Sequence, residues 1–229
     1  MSNVIEMKRY LYLLLSLIVL LLPANLKAQE KGKDIRYYFL QMPAAHVPML
    51  TNEDRVALLD AFGKDNAPSA VRGALVGNVR LEMLTDTYLR LRTSKVGTLE
   101  LLLLPLINGT PVISQISTVE QPIPDATIAF FTPEWQPIKQ SLIASELSMT
   151  DFMPENVNPD TPEGAKLKQL LTPLHVIYKI DPNRNELRAI AKLRCDASLE
   201  TELVHLIKAM PVVDFYWSRG MWVKKESKR

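Results

Sequence analysis

Asp181, Asn183 and Asn185 stand at alternate positions in the stretch KIDPNRNELR, the spacing with which a calcium-binding loop begins. Such a loop would next need glycine at position 186 and a bidentate glutamate at 192. The chain has Glu186, which resists the sharp left-handed turn, and Lys192, which repels a cation. The flanking HVIYKI and LRAIAKLR alternate in polarity like strands. Asp-Pro and Asn are also what a hairpin loop uses, because proline presets φ and asparagine tolerates the left-handed region. The stretch is expected to be a turn, and no metal or other cofactor is expected.

Other chemistry is thinly represented. His46, His175 and His205 are far apart in sequence, and none belongs to an H-E-x-x-H zinc motif. The chain has no G-x-S-x-G elbow and no Ser-x-x-Lys pair. Gly32-Lys33-Asp34 and Gly63-Lys64-Asp65 lack the preceding glycines and the Ser/Thr of a phosphate loop. Paired carboxylates need only a cleft that brings two acids together, and Glu100, Glu120, Asp125 and Glu134 are the candidates. No catalytic residue is assigned. Aromatic residues offer a different chemistry. Phe215-Tyr216-Trp217 and Met221-Trp222-Val223 flank the turn Ser218-Arg219-Gly220, and Trp135 lies between prolines in TPEWQP. Trp135, Tyr216, Trp217 and Trp222 are therefore the candidate ligand or partner contacts, since exposed rings stack sugars or anchor partners. The alternative is that the same rings close the core.

These residues need elements to hold them. VRLEM and TYLRLRT alternate with period two about Thr85-Asp86, so residues 79–93 read as a hairpin with Val79, Leu81, Met83, Leu89 and Leu91 on its apolar face. Asn108-Gly109 predicts a second hairpin with a type I′ turn between Leu99–Ile107 and Val112–Val119. Asn108-Gly109-Thr110 also matches a glycosylation acceptor, but a tight turn needs the same residues. Pro105 argues for an edge or a bulge, and ATIAFF makes a further strand. Thr51 begins a helix with Val56, Leu59 and Phe62 on one face and Gly63 as its stop. A second helix spans Pro162–Leu171 after Thr161. A third is capped by Ser198 and ended by Pro211.

The expected fold is α+β, with antiparallel β-sheets built from hairpins in two halves and helices packed on one side. An N-terminal α+β part spans 29–136, an irregular connection 137–160, and a C-terminal α+β part 161–229.

The first 28 residues have the pattern of a signal peptide. Lys8 and Arg9 precede the apolar run Leu11–Leu22, and Leu26-Lys27-Ala28 offers a cleavage site. The run is shorter than the roughly 20 residues that span a bilayer, so no span is expected after cleavage; retention as an anchor is the alternative. No cysteine follows the run closely, and Cys195 is the one cysteine in 229 residues, so no internal disulfide holds the fold. A buried inert thiol or an intermolecular bridge is expected there. Residues 1–28 carry Lys8, Arg9 and Lys27 against Glu6, so the remainder has equal numbers of acidic and basic residues. Nucleic-acid binding, which needs a clustered basic face, is not expected.

Further stretches carry a likeness. FLQMP (Phe39–Pro43), Leu50-Thr51, LLDAF (Leu58–Phe62), LTDTYL (Leu84–Leu89), TIAFFTPEWQP (Thr127–Pro137) and a closing strand pair around Tyr216-Trp217 resemble a family of exported Bacteroidales proteins of unknown function. The resemblance covers nearly all of the chain after the leader. It implies a periplasmic or surface location in a Gram-negative bacterium and supplies no catalytic residues. The leading expectation is a non-enzymatic periplasmic module binding an unknown protein or glycan of the cell envelope. The alternative is an enzyme acting on envelope glycans through a dispersed carboxylate site.

Overall fold

Leu99 to Leu104 are six successive buried residues in one strand, a pattern possible only where both faces of a sheet are covered. The computed structural model describes residues 33–65, 69–73, 77–194 and 201–226. The predicted signal peptide, Cys195 and the Ser198 cap lie outside them. Within the compact unit Ile35–Arg229, six strands form one antiparallel sheet in sequence order. They are β1 (Ser69–Gly73), β2 (Gly77–Leu84), β3 (Tyr88–Arg92), β4 (Gly97–Pro105), β5 (Pro111–Val119) and β6 (Asp125–Phe131). A second antiparallel sheet has the order β10-β9-β8-β7, from β7 (His175–Asp181), β8 (Glu186–Lys192), β9 (Val213–Ser218) and β10 (Met221–Lys224).

Alternation divides the larger sheet between two cores. Leu89, Leu91, Leu99, Leu101 and Leu103 meet helices α1 (Ile35–Gln41) and α2 (Asn52–Asp65) through Ile35, Phe39, Leu58 and Phe62. Leu102, Leu104, Val112, Ile116 and Phe130 meet Val176, Leu187, Phe215 and Trp222 of the smaller sheet. Leu167 of α3 (Pro162–Leu170) and Leu206 of α4 (Val204–Ala209) join this second core. The architecture is α+β, two antiparallel sheets with a few helices.

Several local expectations change. The helix after Thr51 continues through Gly63 to Asp65. Its N-terminus is closed reciprocally: Asp54 N–H donates to Thr51 Oγ1 at 3.1 Å, and Thr51 N–H to Asp54 Oδ2 at 2.9 Å. The buried stripe is Arg55, Leu58 and Phe62, while Val56 is 45% exposed. Arg55 takes an inward position because Nη1 donates to the carbonyls of Phe39 at 3.2 Å and Met42 at 2.5 Å, groups at the C-terminal end of α1. A register shift between Leu81 and Met83 turns Met83 outward and buries Leu84. Pro105 ends β4, opposite Pro111, in a strand flanked on both sides. At Asn108-Gly109 only Gly109 has positive φ, 81°, and Leu106 N–H donates to Thr110 O. This is a three-residue loop with glycine in the left-handed position instead of a type I′ turn. The two-residue turn with both φ positive occurs at Arg219 (51°) and Gly220 (84°).

Residues 137–160 have little regular structure yet are bound to their surroundings. Pro137 bridges Phe131, and Ile143 forms a parallel bridge with Trp222. Phe152, in the short 3-10 turn Met149–Phe152, is wholly buried in the second core. Among the described residues no helix is long and apolar enough to cross a membrane.

Candidate functional site

The face of the larger sheet that meets the smaller one changes character along its strands. Leu102 and Leu104 of β4 are followed, toward the start of the strand, by Glu100 and Thr98; Tyr88 of β3 is followed by Arg90 and Arg92. Register sets Tyr88 opposite Leu102, Arg90 opposite Glu100, and Arg92 opposite Thr98, which in turn lies opposite Thr118 of β5. The apolar half is covered by the smaller sheet. The polar half borders an open groove of about 610 Å³ whose other wall is Ile177–Ile180 of β7, with Lys192 of β8.

Glu100 forms the floor, only 5% exposed. Tyr88 Oη donates to its Oε1 at 2.5 Å, and Arg90 Nη1 lies 3.6 Å from the same oxygen. Burial pushes the Glu100 carboxyl above its usual range, and the negative charge of Glu82 adds to this; the Tyr88 hydroxyl and Arg90 charge oppose it without cancelling it. Burial likewise raises the Tyr88 phenol, reinforced by the charge and hydrogen bond of Glu100. The charges then run outward as a ladder. Glu82 stands 3.2 Å from Arg90 Nε and 3.4 Å from Arg92 Nε, and Arg92 Nη1 reaches Glu120 at 2.7 Å. The Arg90 Nε–H is not aimed at Glu82, so that contact is an ion pair without a hydrogen bond. Glu82, Glu100 and Glu120 thus each have an arginine or tyrosine partner within the sheet, whereas Lys179 and Lys192 form no ion pair among the described residues. Among the groove's lining residues Arg90, Lys179 and Lys192 outnumber Glu100 and Glu120, so its balance of charge is positive.

Asp125 joins the two sheets. Its Oδ1 accepts from the backbone N–H of Val176 at 3.1 Å, and its Oδ2 lies 3.1 Å from His175 Nδ1. Burial works against its ionisation, but the hydrogen bonds from His175, Val176 and Ala126 outweigh it and hold the carboxyl below its usual range. His175 opens onto a second hollow of about 490 Å³ lined also by Lys166, Thr172 and Arg194.

The candidate residues from the sequence separate clearly. Trp135 is buried beside Phe131, with φ of 61°, and its Nε1–H donates to the Tyr38 carbonyl at 3.0 Å. It closes the end of α1. Trp222 is wholly buried, paired across strands with Trp217 on the same face, ring centroids 5.4 Å apart. Trp217 is half-buried and donates Nε1–H to the Pro105 carbonyl at 2.7 Å. Tyr216 is 42% exposed. Of the four candidate carboxylates, Glu100 and Glu120 line one groove, Asp125 ties β6 to β7, and Glu134 is exposed on the turn before Trp135. His46 stacks edge-on against Phe131 at 4.7 Å, and His205 lies 3.5 Å from Glu163 on the surface. In the Asp181 loop, Asn183 N–H donates to Asp181 Oδ1 at 3.0 Å and Asn185 has φ of 49°, so the residues serve the turn between β7 and β8. Sequence reasoning missed Tyr88, Tyr178 and Lys192; the alternation of TYLRLRT placed Arg90 and Arg92 on a wet face but did not show what would oppose it.

A family model described as a protein of unknown function (DUF3256) matches residues 27–221. The chain belongs to this family. A solved structure, described as a domain of an uncharacterized protein from Porphyromonas gingivalis W83, superimposes with a TM-score of 0.73. It is 21% identical, and the match covers 83% of this chain and 97% of that one, a likeness of fold. Comparison with curated proteins gives no significant match. The DUF3256 relationship assigns neither activity nor ligand, so the chemistry of the groove has to be read from its own residues.

Proposed function

We propose that this DUF3256 chain is a non-enzymatic binding or interaction module of the bacterial cell envelope, with the groove beside β7 as its ligand face. The carrying observation is the contrast within the groove: its two carboxylates, Glu100 and Glu120, are held by Arg90, Tyr88 and Arg92, beside two lysines that form no ion pair among the described residues. Fixed, internally compensated polar groups add little reorganisation cost on binding, while Lys179 and Lys192 remain free to meet an anionic group. Lys8, Arg9 and the apolar run after them support export, as does the likeness to exported Bacteroidales proteins. Tyr216 and Trp217 are a secondary contact in this reading, since they are the two aromatic candidates with exposed surface.

Thermal-shift titration with acidic peptides and acidic oligosaccharides tests the reading. Stabilisation by one anionic class, lost in Lys192→Glu, is expected; equal stabilisation of the wild type and Lys192→Glu would move the ligand away from the groove.

A second reading has one observation in its favour. Glu100 and Glu120 line the same concavity, as a carboxylate-dependent hydrolase requires. Hydrolysis of a chromogenic glycoside by wild type and not by Glu100→Gln would establish it, and equal residual rates would remove it.

A further inference from the structure

The smaller sheet ends at β7, which pairs with β8 on one side only. Antiparallel strands direct the backbone groups of alternate residues to opposite sides, so one anchored residue fixes the phase for the strand. Two bonds fix it here. The Val176 N–H turns away from β8 to Asp125, and the Asp181 carbonyl turns toward the β7–β8 loop to accept from Arg184 N–H at 3.3 Å. Val176, Tyr178 and Ile180 therefore present their N–H and C=O groups to the open side. Asp125 occupies the first of these positions. Tyr178 and Ile180 face the groove and make no backbone hydrogen bond outside the sheet among the described residues.

The side chains of the strand make this edge selective. Tyr178 and Ile180 pack toward the second core, and Lys179 between them is exposed. A lysine in the middle of an edge strand discourages pairing with an arbitrary strand. It also selects, because an opposite charge directly across a strand pair is favourable and a like charge unfavourable. Lys192, which lines the same groove and forms no ion pair among the described residues, acts in the same direction.

We propose that β7 is a docking edge, where an extended acidic segment of a partner protein adds as a further antiparallel strand. It exchanges backbone hydrogen bonds with Tyr178 and Ile180, and its carboxylates face Lys179 and Lys192. Its alternate side chains lie toward Thr98, Thr118 and the Arg90–Glu100 pair, where the sheet face is polar and borders the groove. The proposal rests on the groove reading above and names its occupant.

The test is an NMR titration of the isotopically labelled chain, at millimolar concentrations, with two acetylated hexapeptides: one alternating glutamate and valine, one alternating lysine and valine. Amide hydrogen exchange of Tyr178 and Ile180 is the readout. The acidic peptide is expected to slow exchange at both amides by about tenfold or more, as new backbone hydrogen bonds do. The lysine peptide is expected to leave them unchanged, and Lys179→Glu to invert the preference. Shifts at Thr118 and Glu120 without slowed exchange at Tyr178 and Ile180 would overturn strand addition while leaving the groove as a binding face. An equal effect of both peptides would overturn the charge selection, and no effect of either would overturn the proposal.

Discussion

Val176 donates its backbone N–H to the Asp125 carboxylate at 3.1 Å, and this bond sets which side of β7 is open. Asp125 opens β6 and Val176 lies at the start of β7, so the contact joins the edge of the larger sheet to the edge of the smaller one. It also orders the wall of the groove that Glu100 floors. Replacing Asp125 with alanine is expected to speed amide exchange at Val176 by about tenfold, the scale of one lost hydrogen bond. Unchanged exchange at Val176 would show that the strand start is held by its packing alone.

Glu100 gives a pH signature. Its folded-state carboxyl lies above the ordinary value of 4.5, so the folded chain holds this proton more tightly than the unfolded chain. The group's contribution is then most favourable below pH 4.5 and declines as the pH rises toward the folded-state value. Urea unfolding from pH 4 to pH 8 is expected to show a smaller decline across that window for Glu100→Gln than for wild type. Tyr88→Phe removes a donor to the ionised carboxylate and is expected to steepen the decline.

Arg55 is a structural cation. Its guanidinium serves the carbonyls at the end of α1 from a position 1% exposed. Arg55→Ala is expected to cost about 3 kcal/mol or more, because several buried carbonyls lose their donor at once. Arg55→Met keeps much of the packing volume without the donors and is expected to be nearly as destabilising; chemical denaturation of the three proteins separates the two contributions.

The aromatic candidates separate by stability. Trp222→Ala empties a fully buried site and is expected to cost about 3–5 kcal/mol. Tyr216→Ala, on the surface, is expected to stay within about 0.5 kcal/mol of wild type. Thermal melts of both read this directly, and Tyr216→Ala then remains a clean variant for partner-binding measurements.

Gly164 is required for space. A Cβ there would lie 2.1 Å from the Asn158 carbonyl oxygen, in the turn that leads into α3. Gly164→Ala is expected to cost about 1–3 kcal/mol, the range for forced backbone displacement. A neutral substitution in a urea titration would mean that the turn yields freely.

Much of the sheet was legible because period-two alternation follows directly from a face that must be buried. Leu89, Leu91 and the long run Leu99–Leu104 announced themselves in this way. The errors have local physical causes. Val56 fits the helical spacing of Leu59 and Phe62, but Arg55 takes the inward position by donating to carbonyls at the end of another helix, a partner no local pattern contains. The bulge after Leu81 shifts the pattern by one residue, so Met83 reads as buried and is not. β1 was missed because SAVRG is short and carries little periodicity. The groove was the least legible feature. Glu100 and Glu120 were nameable as acids, but their joining with Lys179 and Lys192 depends on where the second sheet stops covering the first.

Photo-crosslinking in intact cells locates the binding face. A photoreactive phenylalanine analogue is placed at Thr118 in the groove, at Tyr216 on the smaller sheet, or at the exposed Val56 on α2, in otherwise unaltered chains. A discrete adduct is expected from position 118, abolished by Lys192→Glu, and none from position 56. Adducts from 216 or 56 with none from 118 would contradict this expectation and place the binding face elsewhere on the molecule.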